Sequence, residues 1–382
     1  MIIKSGKSYG NMKHIVFFCE GQLGDLLILT PAIRAVKETY PSSRITTIIL
    51  QRRRYDGSDS RKTIWYSAAD CGTSSVMSGN PNVDQVIEID RFFLRSLTGW
   101  NRLKAELKII LHLHRLKPDV ILCTFPEDRF VIWGYFSGAG VRIGEARQKL
   151  SWLLTHKPDI SKEELGVRDY YLGLVASIGA KTDNIGTEFL VSVEALAWAD
   201  KKISMLPDNN TGGLVAVHPG ASGPYKVWPP EYYARLIDHL QKDFGFRVLL
   251  CGTEFDREII EAVEAQLESR IFRIKFDQDI SKLAAIIARC RLCITNDSGP
   301  RHLAVAVGTP SMAFMMKDQD RQWKIYDDPA NSVVLAGDED CPVCNNGPCK
   351  NIIPDGYHFG SYCLRSVTVE RAINQAKIFL NI

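Results

Sequence analysis

No apolar stretch in the 382 residues approaches the roughly 20 needed to cross a bilayer, so a membrane-spanning helix is not expected. The N-terminus, MIIKSGKSYGNMKH, lacks the apolar core that marks a secretory signal. A cytoplasmic protein is therefore the expectation, and disulfides are not expected in that reducing compartment. Excess charge of one sign is also missing. With 47 Lys and Arg against 44 Asp and Glu, the net charge of +3 is too small to argue for nucleic acid, although it leaves room for a local basic face. No short-period internal repeat is present. What remains, 45% hydrophobic and 24% charged, is the composition of a soluble globular protein long enough for about two domains.

His14 to Asp25 (HIVFFCEGQLGD) reads as a strand running into a glycine turn, Leu26 to Tyr40 as a helix, and Ile45 to Leu50 (ITTIIL) as the next strand. Such a β-turn-α-β opening favours a parallel sheet with right-handed crossovers. Gln51 to Asn82 is polar and reads as a loop with one short helix. Val83 to Ile89 and Asp119 to Phe125 continue the sheet, and the first domain is expected to span 1–185. Leu214 to Gly220 (LVAVHPG) opens a second series in 186–382, with helices near Pro230 to Phe244 and Asp256 to Leu267 and strands at Arg247 to Leu250 and Arg270 to Ile274. The fold class is α/β: two Rossmann-like β/α/β domains whose strand ends are expected to face a central cleft.

From Arg91 to Lys117, seven basic residues alternate with Phe92, Phe93, Leu94, Leu97, Trp100, Leu103, Leu107, Ile110 and Leu111. A basic amphipathic segment of this kind suits anionic headgroups of the inner membrane face or a phosphorylated acceptor. An ordinary sheet-covering helix, with one apolar and one charged face, explains the pattern as well and is the stronger reading.

Four stretches carry chemistry. Leu292 to Met315 (LCITNDSGPRHLAVAVGTPSMAFM) reads as strand, polar turn, small-residue helix and strand. Ser298, Gly299 and Pro300 supply a cap, a flexible joint and a helix-start proline, and the start of that helix would suit a diphosphate. A plain connection capped by Asp297 is the alternative. In EGQLGDLLILTP, Gly21 and Gly24 allow close backbone approach and Asp25 is either an N-cap or a chemical group. The turn lacks the third glycine of a dinucleotide fingerprint, and Arg52, Arg53 and Arg54 follow the second strand where NAD sites carry an acid. An NADP-linked oxidoreductase therefore remains a rival reading. In VHPGASGPYKVWPP, Lys226 suits a phosphate and Trp228 is either a site residue or a core anchor. In VLLCGTEFDREI, Glu254 or Asp256 could hold a ribose hydroxyl or simply start a helix.

Of ten cysteines, Cys19, Cys123, Cys251, Cys290 and Cys293 sit in or beside apolar runs and read as buried thiols, and Cys71 is isolated in a loop. Cys341, Cys344, Cys349 and Cys363 are spaced C-x2-C-x4-C-x13-C in a loop-rich tail. Four thiolates could clip a structural zinc, iron being the less suited metal, and metal-free thiols are the alternative.

GQLGDLLILTPAIRAVK, LLTHKP, HPGASGPYKVWPPEYYARL, CGTEFDRE, NDSGPRHLAVAVGTP and the closing CLRSVTVERA together resemble glycosyltransferase family 9, the ADP-heptose:lipopolysaccharide heptosyltransferases, over most of the chain. The resemblance implies a GT-B architecture, a nucleotide sugar held mainly by the second domain, and a final helix returning toward the first. It implies transfer of a heptose or related sugar from ADP-heptose to a lipopolysaccharide inner core or other glycoconjugate, with Asp25 as general base. Lys226, Ser298 and Gly299 would stabilise the departing diphosphate in place of a divalent cation, so no catalytic cofactor is implied. Asp297, His302, Glu254 and Asp256 would line the donor site, with Gly24, Ser222 and Trp228 on the substrate side. A nucleotide-sugar-binding protein that has lost its chemistry is the non-enzymatic alternative.

Overall fold

A computed structural model describes residues 12–51, 65–66, 72–206, 212–274, 279–317, 331–338, 343–344 and 350–382. The chain divides into two compact units, Met1–Glu188 and Phe189–Ile382. In the first, β1 (His14–Glu20), β2 (Arg44–Gln51), β3 (Trp65–Tyr66), β4 (Gln85–Asp90), β5 (Val120–Cys123) and β6 (Val141–Ile143) form one sheet in the order β3-β4-β2-β1-β5-β6. Only β3, a two-residue edge strand against β4, is antiparallel. Every residue of β1 is buried, as a central strand covered on both faces requires.

The second unit repeats the plan. Its strands are β7 (Leu214–His218), β8 (Arg247–Cys251), β9 (Phe272–Ile274), β10 (Leu292–Asn296), β11 (Ser311–Met315) and β12 (Ser332–Ala336). They are ordered β12-β11-β10-β7-β8-β9 and all run parallel. In each sheet the chain steps outward on one side of its first strand and then returns to the other side. The order thus reverses between β1 and β5 in one unit and between β7 and β10 in the other, and ligands of open α/β sheets bind outside the carboxyl ends of the strands at such a point.

The first helix, Leu23–Thr39, begins three residues earlier than its apolar pattern suggests and contains Pro31. Pro31 has no N–H for the Leu27 carbonyl. The Thr30 hydroxyl donates to that carbonyl at 2.7 Å and itself accepts the N–H of Glu188 at 3.1 Å, so the peptide group freed by the proline is satisfied. Arg34, on the same helix, donates to the carbonyls of Asn184 and Gly186 and pairs with Glu188.

Two helices, Arg91–Ser96 and Gly99–Leu116, account for the basic segment. The longer one buries Ala105, Ile109 and Leu113 in a core that includes Val16, Phe18 and Ile121; a fully buried aliphatic side chain is worth about 1.5–3 kcal/mol. The final helix, Val369–Leu380, expected to return toward the first domain, buries Val369, Ala372, Ala376 and Leu380 in the core of the second unit. The five cysteines of apolar runs are buried, and burial pushes the thiols of Cys123 and Cys251 up to about 12, so they are inert core side chains. Cys71 lies outside the described residues. No helix among the described residues is long and apolar enough to cross a membrane.

Candidate active site

In the first unit the turn after β1 is held close to the end of β2. Gly21 donates to the Leu50 carbonyl at 3.1 Å, and a Cβ on Gly21 would stand 2.6 Å from Gln51 Oε1 and 3.2 Å from Gln51 Cα. A side chain there would require Gln51 to shift. Gln22 occupies the N-cap, Gly24 and Asp25 are the second and third helical residues, and both are partly exposed. Asp25 is thus not the N-cap. It stands in the first turn, where the helix dipole favours a negative side chain, at the carboxyl end of the strand where this sheet reverses its order. Burial first, and the Asp25 charge second, raise the Cys19 thiol and the Tyr171 phenol, so two neutral groups stand within electrostatic reach of the carboxylate.

In the second unit the carboxyl ends of β7 and β10 are joined by one side chain. Asn296, fully buried, donates through Nδ2 to the Pro219 carbonyl at 2.6 Å, and its Oδ1 accepts the N–H of Trp228 at 2.9 Å. The loop bearing Lys226 is therefore fixed to the strand that leads into Asp297-Ser298-Gly299. Lys226 ends a short 3₁₀ turn, Pro224–Lys226, and is partly exposed, while Ser222 is exposed.

The turn itself differs from expectation in its donors. Ser298 holds the N-cap position of the helix Gly299–Ala306, yet its hydroxyl lies 3.1 Å from Thr295 Oγ1 and 3.4 Å from the Asn296 carbonyl and caps no helical N–H. Pro300 has no N–H, and the Arg301 N–H is committed to the Ser298 carbonyl at 3.1 Å. The helix start therefore offers fewer backbone donors than usual. Arg301, 1% exposed, pairs with Asp297 at 3.3 Å and orders the turn from beneath.

Several expected site residues have other duties. Trp228 is fully buried, stacked on Phe314 at 3.9 Å with its Nε1 donating to the Val367 carbonyl at 2.8 Å, so it is a core anchor and not a substrate contact. Asp256 closes a capping box: Oδ2 accepts from the Thr253 N–H at 2.9 Å and the Thr253 hydroxyl at 2.8 Å, so that oxygen has a structural duty at the helix start. Glu254 is exposed and pairs with Arg257 at 3.1 Å. His302 is buried, held well below the ordinary imidazole value by burial and then by Arg301, and is therefore neutral packing in the helix. Sequence reasoning passed over Asn296, Arg301 and His218. His218 ends β7 with Nε2 3.7 Å from Asp256 Oδ2 and a buried Nδ1 that has no hydrogen-bond partner among the described residues.

Cys341 and Cys349 lie outside the described residues, as do Arg52, Arg53 and Arg54. Cys363 is buried in the second unit's core, where its sulfur accepts the Lys317 N–H at 3.3 Å, and Cys344 accepts from the Lys350 N–H at 3.4 Å. Among the described residues no group of three or more His, Cys, Asp or Glu side chains could hold a metal ion.

Two parallel α/β units of this order are those of GT-B glycosyltransferases, as comparison with solved structures shows. The glycosyl transferase family 9 protein from Veillonella parvula DSM 2008 superposes with a TM-score of 0.75 at 23% identity, covering 97% of both chains. An Escherichia coli structure described as ADP-heptose lps heptosyltransferase II gives 0.71 at 18% identity, over 97% of this chain and 99% of that one. Lipopolysaccharide heptosyltransferase 3 of Escherichia coli (strain K12) is 22% identical over 327 residues, 79% of this chain and 82% of its own. A family profile for glycosyltransferase family 9 (heptosyltransferase) matches residues 134–351, more than half of the chain. The protein belongs to glycosyltransferase family 9 and is a glycosyltransferase. Neither an NADP-linked oxidoreductase nor a non-catalytic nucleotide-sugar-binding protein finds support in these likenesses.

Proposed function

We propose that the protein transfers a heptose from ADP-heptose to a lipopolysaccharide inner core or a related glycoconjugate, with inversion at the anomeric carbon. The names of its relatives support the sugar and the acceptor class. The observation that carries the chemistry is the placement of Asp25 in the first helical turn after β1, partly exposed, with the N-cap taken by Gln22. A carboxylate so placed accepts the proton of an acceptor hydroxyl as its oxygen bonds to the anomeric carbon and the bond to the diphosphate breaks. The Lys226 ammonium and the start of the helix at Gly299 stabilise the charge that collects on the departing ADP, so the chain's own donors serve where other transferases use a cation. Glu254, which is exposed, and Asp297, which is partly exposed, are carboxylates suited to donor hydroxyls.

A nucleotide-sugar panel read by thermal stabilisation tests the donor: ADP-heptose should raise the melting temperature and ADP should do so less, while NADP should not. Asp25→Asn should lower turnover by about 100–10,000-fold, the usual worth of a positioned base, with donor affinity within about twofold. Full turnover by that variant removes Asp25 from the mechanism. Stabilisation by another nucleotide sugar alone would change the donor and keep the reaction class.

A further inference from the structure

The helix Gly99–Leu116 has two apolar faces, and packing on the sheet uses one of them. Ala105, Ile109 and Leu113 are buried. At about 100° per residue, Trp100, Leu103, Leu107 and Leu111 fall on the opposite side of the helix, where they are 66%, 47%, 46% and 54% exposed. A sheet-covering helix needs no such row, because its outward face is normally polar, and a contiguous exposed apolar surface marks a place of interaction.

The charge beside the row has one sign. Lys104, Lys108 and Arg115 are exposed along one edge of it. Between Arg91 and Lys117 the chain carries seven Lys and Arg and a single acid, Glu106. That acid is occupied on the inner side, accepting from Trp133 Nε1 at 2.7 Å and pairing with Arg129 at 3.4 Å, so it does not offset the outward charge. Near the helix's end, where His114 Nδ1 lies 3.2 Å from the Ser137 carbonyl, Phe136 adds a further exposed ring, 57% exposed.

We propose that this face docks the protein on an anionic lipid bilayer. The helix lies in the interfacial plane, with the Trp100–Leu111 row entering the boundary of the acyl chains and the basic edge meeting headgroup phosphates. A second copy of the chain fits less well. A two-fold contact would set the same patch against itself and bring the basic edges together. The docking goes beyond the transfer reaction and does not depend on it, since neither donor nor acceptor is needed to observe it.

The test is cosedimentation of the full chain with vesicles of phosphatidylcholine alone and with added phosphatidylglycerol. Binding should require the anionic lipid and weaken with salt. A variant with Lys104, Lys108 and Arg115 all changed to Gln should bind roughly a hundredfold less tightly, at about fivefold per basic residue near an anionic surface. A Leu103→Ser/Leu107→Ser/Leu111→Ser variant should also lose binding, with circular dichroism and thermal unfolding confirming that it folds. Brominated acyl chains should quench wild-type fluorescence more than that of Trp100→Phe. Equal binding to both vesicle types, unchanged binding by the charge variant, or quenching indifferent to Trp100 would overturn the proposal. So would self-association that the leucine variant abolishes in a protein that ignores vesicles.

Discussion

Asn296 accepts the backbone N–H of Trp228 at 2.9 Å, so a strand end and a loop that are 68 residues apart in sequence are fixed together by one buried amide. The same side chain holds the Pro219 carbonyl at 2.6 Å. Asn296→Ala leaves both groups buried without it and should cost about 1–3 kcal/mol for each group left unpaired. Donor binding should weaken with it, because the Lys226 loop loses its tie to the turn. Denaturant unfolding and calorimetric titration with ADP-heptose check the two effects; a donor affinity that survives the loss of stability would separate Asn296 from the site.

Trp228 should behave as a core residue. Trp228→Ala opens a cavity against Phe314 and should cost about 3–5 kcal/mol, whereas Trp228→Phe keeps part of the stack. In Trp228→Phe the donor affinity should stay within about twofold of wild type, and a large loss of affinity in that folded variant would return the tryptophan to the substrate.

Gly220 and Asp256 should be coupled. A Cβ on Gly220 would overlap the Asp256 carboxylate, which the Thr253 cap holds in place. Gly220→Ala should therefore destabilise the second unit, and Asp256→Ala, itself costing about 1 kcal/mol as a lost cap, should relieve part of that cost in the double variant. Strict additivity in the double-mutant cycle would show that the clash is absorbed elsewhere.

His302 links stability to acid pH. Its folded-state pKa lies well below the ordinary 6.5 because burial, and then Arg301, oppose the charged ring. The unfolded chain takes up this proton near 6.5 and the folded protein only at lower pH. The stabilising contribution is thus present above 6.5 and is lost as pH falls toward the folded value. His302→Gln should make the unfolding free energy fall less steeply as pH drops below 6.5. Parallel slopes for the two proteins in urea unfolding would assign the acid lability to other groups.

The strands were legible because they are short apolar runs bounded by glycine, proline and charge; Leu292 to Asn296 ends where Asn296-Asp297 interrupts such a run. The position of Asp25 was legible through the glycine turn before it. The duties of Asn296 and Arg301 were not, since each depends on a side chain meeting a segment brought to it by the sheet order, and Trp228 read as either core anchor or site residue until its stack on Phe314 was known. Arg301 in particular reads as a solvated helix arginine until the packing around it is known. Asp256 is a different case. Thr253 and Asp256 stand three apart at a strand end, the spacing of a capping box, and that local signal was available before any ligand role was assigned.

The chain's own fastening at Thr30, Arg34 and Glu188 bears on how the protein can be cut for study. A first unit ended at residue 185 would lose the Gly186 carbonyl and the Glu188 carboxylate that Arg34 holds, and the N–H that Thr30 receives. The helix exposed to that loss is the one whose first turn carries Asp25. The next residue, Phe189, already donates to the Ala306 carbonyl at 3.3 Å within the second unit. Separately expressed halves should therefore meet at the Glu188–Phe189 bond, and a boundary three residues earlier would leave Arg34 only the Asn184 carbonyl of its three partners.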